Sequence, residues 1–224
     1  MSMLSNLELI RRVPLFALLT ANQAEAVADA VSKRRFKRGE TVVEQGEKSN
    51  TLFIILTGRV RVVTSDKRGR EVILATLQPG DYIGEMSLID NEPHSATVRA
   101  EVQTDMLILG RPEFARCLPE SSSLSYAILR GLVQRLRNAD RQIESLALMD
   151  VYGRVARALL EFAQPDREGN TVIRERISRQ DIAKMVGASR EMVSRVMKDL
   201  EDRGFIETRE DGSMVVKDRL STLG

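Results

Sequence analysis

The chain has 224 residues, of which 42% are hydrophobic and 29% charged, and its formal net charge is only +2. This composition is typical of a globular protein with one large domain or two small ones, and so small an overall charge says nothing for or against a nucleic-acid partner. The single cysteine, Cys117, and the single histidine, His94, exclude a disulfide within the chain and a Cys/His zinc site, which needs about four ligands. The N-terminal segment lacks the apolar core of a signal peptide and no apolar run approaches about 18 residues, so we expect a cytoplasmic protein with no membrane partner.

Residues 4–32 have the pattern of short helices. Apolar residues from Leu7 to Leu19 recur at helical spacing, and Pro14 interrupts the first piece because proline cannot continue a helix. The alanine-rich stretch Ala21–Val31 then consists of strong helix formers.

Between residues 33 and 109 the pattern changes to short strands. Valine and isoleucine occur in runs such as TLFIIL, GRVRVV, EVILATL and DMLIL. Glycines separate these runs at Gly39, Gly46, Gly58, Gly69 and Gly80. Evenly spaced short strands with turn glycines are typical of an antiparallel sandwich or barrel, so we expect a β domain here.

A long helix is predicted over residues 119–149. Apolar residues recur along it at heptad spacing and form a narrow seam, made of Leu129, Leu132, Leu136, Ala139, Ile143 and Leu146. Because arginine and glutamine occupy its other faces, the seam favours a coiled-coil homodimer. A helix that lies on the core of its own domain is the alternative.

The segment SRQDIAKMVGASREMVSRVMKDL, residues 178–200, has the pattern of two short helices joined by a sharp turn. Ser178 is placed to cap the first helix, with Asp181 three residues on as in a capping box. Gly187 falls where the chain must turn with a positive φ, and Ser189 is placed to cap the second helix. The pattern predicts a helix-turn-helix; the alternative is a helical hairpin with a solvated, arginine-rich face.

The polar face of the second helix predicts double-stranded DNA as a partner. Between residues 174 and 198, seven Lys/Arg against three Asp/Glu give a local net charge of +4. Arginine can bind guanine O6 and N7, and glutamate can accept from cytosine N4, when they lie on the N-terminal half of a helix in the major groove. The residues expected to read bases are Arg190, Glu191 and Arg195. The residues expected to contact the DNA backbone are Arg179, Ser189, Ser194 and Lys198.

The residues on either side of this motif complete a small domain. Residues 201–218 have the pattern of a strand, an Asp-Gly turn and a second strand, which predicts a two-stranded wing. Upstream, Val151–Ala163 is expected to be a helix and the segment PDREGN, residues 165–170, a loop.

Together, these motifs resemble those of the cAMP receptor protein/FNR family of bacterial transcription regulators. SRQDIAKMVGASREMVSRVMKDLEDRGFI resembles its winged helix, GEMSLIDNEPHSATVRA its phosphate-binding cassette, and LALMDVYGRVARALLEFA the end of its dimer helix and its hinge at Asp150. The resemblance implies an α+β protein with a cyclic-nucleotide-binding-like β-roll (a jelly roll) at 1–118, a dimerisation helix at 119–149 and a winged helix-turn-helix at 150–224. It also implies a homodimer that binds a palindrome with TGTGA-like half-sites.

The resemblance further implies an effector pocket. Its expected residues are Gly84, Glu85, Met86, His94, Ser95 and Ala96 from the cassette and Arg135, Ala139 and Asp140 from the long helix. In the family, residues at the positions of Gly84, Glu85 and Ser95 give close backbone approach, a contact to a sugar hydroxyl and a contact to a phosphate oxygen.

Three positions of this pocket depart from the pattern of family members that bind cAMP. His94 stands where those members have an arginine that pairs with the cyclic phosphate, and histidine is shorter and mostly neutral at pH 7. Ala139–Asp140 stands where they have Thr-Ser against the adenine. Cyclic AMP is therefore doubtful, and three readings stay open: a degenerate pocket in a dimer active without ligand, another ligand such as cyclic di-GMP or a metabolite, or weak binding of cAMP or cGMP.

Other functions find less support in the sequence. An iron–sulfur switch needs several cysteines, and a haem would have to use Cys117 and His94 as its axial ligands. With one histidine and no P-loop, we expect no enzyme. The alternative function is a module that binds a cyclic nucleotide or cyclic di-GMP and acts mainly through a protein partner. By the resemblance, RNA polymerase is an expected partner, with residues 164–170 as a candidate contact.

Overall fold

The computed structural model describes residues 5–17, 19–66, 69–114, 122–166, 170–209, 211–217 and 219–220, without the side chains of 122–124. The chain divides into two compact units, Met1–Arg135 and Leu136–Gly224. The predicted three-part division with boundaries at 118/119 and 149/150 stays a prediction, and Cys117 lies outside the described residues.

The first unit begins with the predicted short helices. These are α1 (Asn6–Ile10), a 3₁₀ turn (Pro14–Phe16) and α2 (Ala21–Ala30). Capping boxes start both α-helices: the side chain of Ser5 accepts from Glu8 N, and that of Thr20 from Gln23 N, and the glutamate and glutamine side chains bond back. Satisfying these free backbone N–H groups stabilises helices too short to be stable alone.

Eight strands follow and form two four-stranded antiparallel sheets. They are β1 (Ser32–Phe36), β2 (Thr41–Val43), β3 (Thr51–Thr57), β4 (Val60–Ser65), β5 (Glu71–Leu77), β6 (Tyr82–Ile83), β7 (Thr97–Ala100) and β8 (Thr104–Gly110). The strand orders are β1-β8-β3-β6 and β2-β7-β4-β5. This arrangement confirms the predicted β-roll.

The strand β3 explains how the two sheets and the helices share a core. Its residues point alternately to opposite faces. Phe53 and Ile55 join the cluster between the sheets, while Leu52 and Ile54 join the cluster that includes α1 and α2. A strand covered on both faces needs an unbroken apolar run, and TLFIIL is such a run.

The five glycines that separate the strands all have a positive φ. Among them, Gly58 has a φ of +90°, and a Cβ there would lie 2.6 Å from the carbonyl oxygen of Gln103. A side chain at this position would therefore clash with backbone as well as strain its own φ.

Two further helices of the first unit matter for the site. The short α3 (Glu85–Asp90) lies between β6 and β7 and carries the cassette. The long α4 (Ser122–Leu148) belongs to the first unit up to Arg135 and to the second from Leu136.

After the end of α4, the described residues of the second unit form three α-helices and one sheet. The helices are α5 (Val151–Phe162), α6 (Arg179–Val186) and α7 (Arg190–Asp202). The strands are β9 (Gln164–Pro165), β10 (Thr171–Ile173), β11 (Ile206–Thr208) and β12 (Met214–Val216), in the order β11-β12-β10-β9.

The sheet of this unit corrects the sequence interpretation in one respect. The predicted hairpin β11–β12 exists, but β10 pairs with β12 and β9 pairs with β10, so the sheet has four strands. Pro165, which was expected in a loop, lies in the edge strand β9, where its missing N–H breaks no inner ladder. Strands of two and three residues are too short to show a period of two.

Within the described residues, none of the helices combines the length and the apolar character that a membrane span requires.

Candidate DNA interface and effector pocket

The helix-turn-helix is built by local capping. The hydroxyl of Ser178 accepts from Asp181 N at 3.0 Å and donates to the Asp181 carboxylate at 2.9 Å. Gly187 ends α6 with φ +64° and ψ +44°, and Ser189 Oγ accepts from Met192 N at 3.1 Å to begin α7. These bonds confirm the predicted caps and turn, and they fix where the second helix starts.

The left-handed turn at Gly187 leads to a stability prediction. A Cβ there would lie 3.6 Å from Cδ2 of Leu146, which is an ordinary contact. A side chain at this position would therefore lower stability only through the strained backbone conformation. Gly187→Ala should lower the free energy of unfolding of the second unit by about 1 to 2 kcal/mol, and Gly187→Asn by less, because asparagine tolerates this conformation. Chemical denaturation followed by circular dichroism measures both; equal stability of Gly187→Ala and the parent would contradict the assignment of the turn.

Packing then orients α7. The two helices bury one face against the core of the unit, with Ile182, Ala183 and Val186 from α6 and Val193, Met197 and Leu200 from α7. The opposite face of α7 is left to solvent.

The predicted base-reading residues share this exposed face. Arg190, Glu191 and Arg195 are exposed on the first two turns of α7. Arg195 Nη2 lies 3.1 Å from Glu191 Oε1, with the side chains 72% and 81% exposed. An ion pair this exposed contributes little to stability. Both side chains can therefore exchange this contact for contacts to a binding partner.

The residues predicted to contact phosphates are found around the same face. Lys198 is exposed on α7, and Arg179 is half-buried at the start of α6. Two hydroxyls have partners within the protein: that of Ser189 caps α7, and that of Ser194 donates to the Arg190 carbonyl at 2.9 Å. Ser189 can still donate its hydroxyl hydrogen to a phosphate oxygen while it accepts the cap bond.

Asp150, the predicted hinge residue, is the N-cap of α5. Its Oδ1 accepts from Gly153 N at 2.8 Å. The bond defines where α5 begins, directly after the end of α4 at Leu148; the hinge function itself stays a prediction.

In the first unit, a cleft of about 380 Å³ opens beside the cassette. The lining residues are Val43, Val62, Leu77, Ile83, Gly84, Glu85, Met86, Ser95, Ala96, Val98 and Arg135. Six predicted pocket residues are thus brought together: Gly84, Glu85, Met86, Ser95, Ala96 and Arg135.

Five apolar lining residues were not predicted: Val43, Val62, Leu77, Ile83 and Val98. They lie on five different strands, β2, β4, β5, β6 and β7. Alternation within each strand could have shown that some residues face inward, but not which of them meet around one cleft, because that depends on the pairing of the strands.

An ion pair spans the polar end of the cleft. Glu85 is 1% exposed, and its carboxylate bonds to the guanidinium of Arg135 on α4. Burial raises the pKa of Glu85, and the charge of Arg135 partly offsets this rise. Gly84, with φ +93°, brings the backbone so close to Thr51 that a Cβ would lie 2.4 Å from the Thr51 carbonyl oxygen.

The His94 side chain is buried and does not take part in the cleft. It is 8% exposed, and it is not one of the residues that line the cleft. Its Nε2 lies 2.8 Å from Ser49 Oγ and its Nδ1 lies 3.2 Å from Ser87 Oγ, so both ring nitrogens have partners.

The environment of His94 also keeps the ring uncharged. Burial lowers the pKa of His94, against a smaller opposing effect of Glu47. Its contribution to stability is therefore complete above the unfolded value of about 6.5 and is lost as the pH falls through the lower folded pKa. At neutral pH, His94 offers no positive charge to a phosphate.

The long-helix residues of the predicted pocket lie outside this cleft. Ala139 and Asp140 are exposed on the part of α4 that belongs to the second unit. The cleft described here is formed by the first unit alone.

The predicted dimer seam is mostly exposed. Leu129, Leu136, Ile143 and Leu146 expose between 56% and 65% of their surfaces, and Ala139 is exposed as well. Leu132 differs, because it packs against the core formed with α1 and α2. Large apolar side chains repeated along one exposed face indicate a surface made for a partner.

The comparisons with known proteins agree with this geometry. The model of the cyclic nucleotide-binding domain matches residues 33–121, and that of the Crp-like helix-turn-helix domain matches residues 153–220. The cAMP-activated global transcriptional regulator Vfr of Pseudomonas aeruginosa is 36% identical over 79% of this chain and 86% of its own length. The corresponding regulator CRP of Escherichia coli O157:H7 is 34% identical over 77% and 83%.

Among solved structures, the c-di-GMP responsive global regulator CLP of Xanthomonas campestris is similar with a TM-score of 0.76 and 27% identity, over 88% of this chain and 98% of that one. The chain belongs to the CRP/FNR family of transcription regulators. It is a DNA-binding regulator, and its relatives are regulators rather than enzymes.

Proposed function

We propose that the chain acts in the cytoplasm as a homodimer that binds a palindrome with TGTGA-like half-sites, one half-site to each α7. The observation that carries this proposal is the exposed set Arg190, Glu191 and Arg195 on the N-terminal half of a capped and packed helix. Bidentate arginine contacts to guanine and a glutamate contact to cytosine suit a half-site rich in G·C pairs at these positions.

The exposed seam of α4 supports the homodimer. A second copy of the same helix offers the same apolar face, so a two-fold pair would remove both faces from water. Two-fold symmetry of the protein would then match the two-fold symmetry of a palindrome, with half-sites about one helical turn apart.

The number of protomers per duplex tests this arrangement. Analytical ultracentrifugation of the protein with a full TGTGA palindrome should give two protomers per duplex. A duplex with one half-site replaced should bind much more weakly. A single protomer on the full palindrome, with equal affinity for the half-site duplex, would contradict the proposal.

The charges around the cleft favour an effector other than cAMP, or no effector. The only cation that lines the cleft, among the described residues, is Arg135, and that guanidinium is already paired with Glu85. His94, which stands where the family pattern has the phosphate-binding arginine, is buried and uncharged at neutral pH and does not line the cleft. We therefore favour a dimer that binds DNA without cAMP, with cyclic di-GMP or a metabolite as the other effectors to test.

Restoring the missing charge should create cAMP binding. His94→Arg is expected to raise cAMP affinity at least about tenfold over the parent, because a guanidinium–phosphate bond contributes about 1.5 to 3 kcal/mol. His94→Gln, which adds no charge, is the matched control and should show no gain. Isothermal titration calorimetry measures all three proteins; tight binding of cAMP by the parent would contradict this account of the cleft.

RNA polymerase remains the expected protein partner. Of the predicted contact at 164–170, residues 167–169 lie outside the described part of the chain. On either side of them, Asp166 N donates to the Asn170 carbonyl and Asn170 N donates to Asp166 Oδ1, both at 2.8 Å.

A further inference from the structure

Tyr82 is one of the residues at which α4 meets the β-roll. It is buried in the core cluster, and its hydroxyl donates to the Ile128 carbonyl at 3.3 Å. The guanidinium of Arg135 lies 5.1 Å from the centre of its ring and also donates to the Tyr82 carbonyl oxygen. Tyr82 therefore contacts α4 over two turns.

Gly131 leaves room for this contact. A Cβ on Gly131 would lie 2.0 Å from Tyr82 Oη and 3.0 Å from its Cζ. Glycine weakens the middle of a helix, and alanine would be the better helix former at this position. The tyrosine cannot move aside freely, because α4 holds its hydroxyl and the core cluster surrounds its ring.

The residues that follow Tyr82 in the sequence form part of the wall of the cleft. These residues are Ile83, Gly84 and Glu85. Arg135, which lies on α4, connects the cleft to Tyr82, because its guanidinium binds both the Glu85 carboxylate and the Tyr82 carbonyl oxygen. A ligand group that bonds to Glu85 or Arg135 would therefore bond to a pair that also holds α4.

We propose that Tyr82, seated on Gly131, is the positioning residue through which the cleft sets the place of α4 on the sensor unit. The inference deepens the proposed function, because it rests on α4 as the helix that pairs the two protomers. A shift of α4 at Tyr82 changes the seam that runs on toward the DNA-binding unit.

A double-mutant cycle tests the contact. Gly131→Ala alone should lower the melting temperature by about 5 °C or more, since the new methyl group meets Tyr82 Oη. Tyr82→Phe removes that oxygen and leaves Cζ at 3.0 Å, which a small shift relieves. In the Tyr82→Phe background, Gly131→Ala should therefore have little effect or raise the melting temperature, because alanine favours the helix.

Two further measurements separate positioning from mere packing. Amide hydrogen exchange at residues 128–135 should accelerate at least about tenfold in Gly131→Ala, and also in Glu85→Gln, which weakens the hold of the cleft on Arg135. Asn138→Ala, an exposed position on the same helix, is the control and should leave this exchange unchanged. Affinity for the palindrome without ligand should change at least about fivefold in Gly131→Ala and return to within about twofold of the parent in the double variant.

Additive melting shifts in the cycle, or exchange that Glu85→Gln leaves unchanged, would overturn the inference. So would a parent-like DNA affinity of Gly131→Ala despite a lower melting temperature, because the contact would then be structural only. If the parent itself fails to bind the palindrome, the proposed function fails; the exchange and melting measurements still decide whether Tyr82 links the cleft to α4.

Discussion

Arg190→Ala should abolish most of the preference of the protein for its palindrome while leaving the fold intact. A bidentate arginine–guanine contact is worth about 1 to 3 kcal/mol, and a homodimer loses two of them, so specific affinity should fall about 100-fold or more. The fold should survive because Arg190 is exposed at the first position of α7 and packs in no core cluster. Fluorescence anisotropy on specific and scrambled duplexes, with circular dichroism as a check on folding, measures the effect.

Lys198→Ala is the matched control for a contact to the DNA backbone. Its loss should weaken binding to specific and scrambled duplexes by similar factors and reduce the salt dependence by about one ion per lost phosphate contact. If Arg190→Ala instead weakened both duplexes equally, then Arg190 would be a phosphate contact and the assignment of base readout would be wrong.

Ile143→Glu should have the second large effect, dissociation of the homodimer. Ile143 exposes 65% of its surface in the single chain, so its place in the seam is not needed to fold one protomer. Two carboxylates facing each other across an apolar seam would be both desolvated and mutually repelled. The variant should sediment as a monomer at concentrations where the parent is a dimer, and it should bind the full palindrome no better than a single half-site.

Asn138→Glu adds the same charge to an exposed position of α4 outside the seam, and should stay dimeric. A parent-like dimer in Ile143→Glu would mean that another surface joins the protomers. A folded monomer in both variants would mean that charge on α4, rather than the seam, decides the association.

Much of the fold could be predicted because it depends on residues that are close together in the sequence. The caps at Ser178 and Ser189 and the left-handed turn at Gly187 were predicted because each is set by residues within three positions. The run TLFIIL was predicted as a strand of a β domain, and the structure places helices on one side of this strand and the second sheet on the other.

What escaped prediction depends on contacts distant in the sequence. Thr171–Ile173 became a strand because its Val172 and Ile173 are buried beside β12, more than 40 residues away in sequence. The position of His94 between Ser49 and Ser87 could not be foreseen, since the family pattern gives the place of the residue but not the direction of a different side chain. Leu132 shows the same limit, because its heptad position does not reveal that its own unit covers it.

Titration of the protein, without any ligand, onto a labelled TGTGA-N6-TCACA duplex at fixed salt tests the central claim most directly. Salt must be fixed because phosphate contacts make the affinity steeply salt-dependent. The account predicts saturable anisotropy with an affinity at least about 1,000-fold above that for a scrambled duplex of the same length. Equal affinity for the two duplexes, unchanged by cAMP, cGMP or cyclic di-GMP, would contradict it.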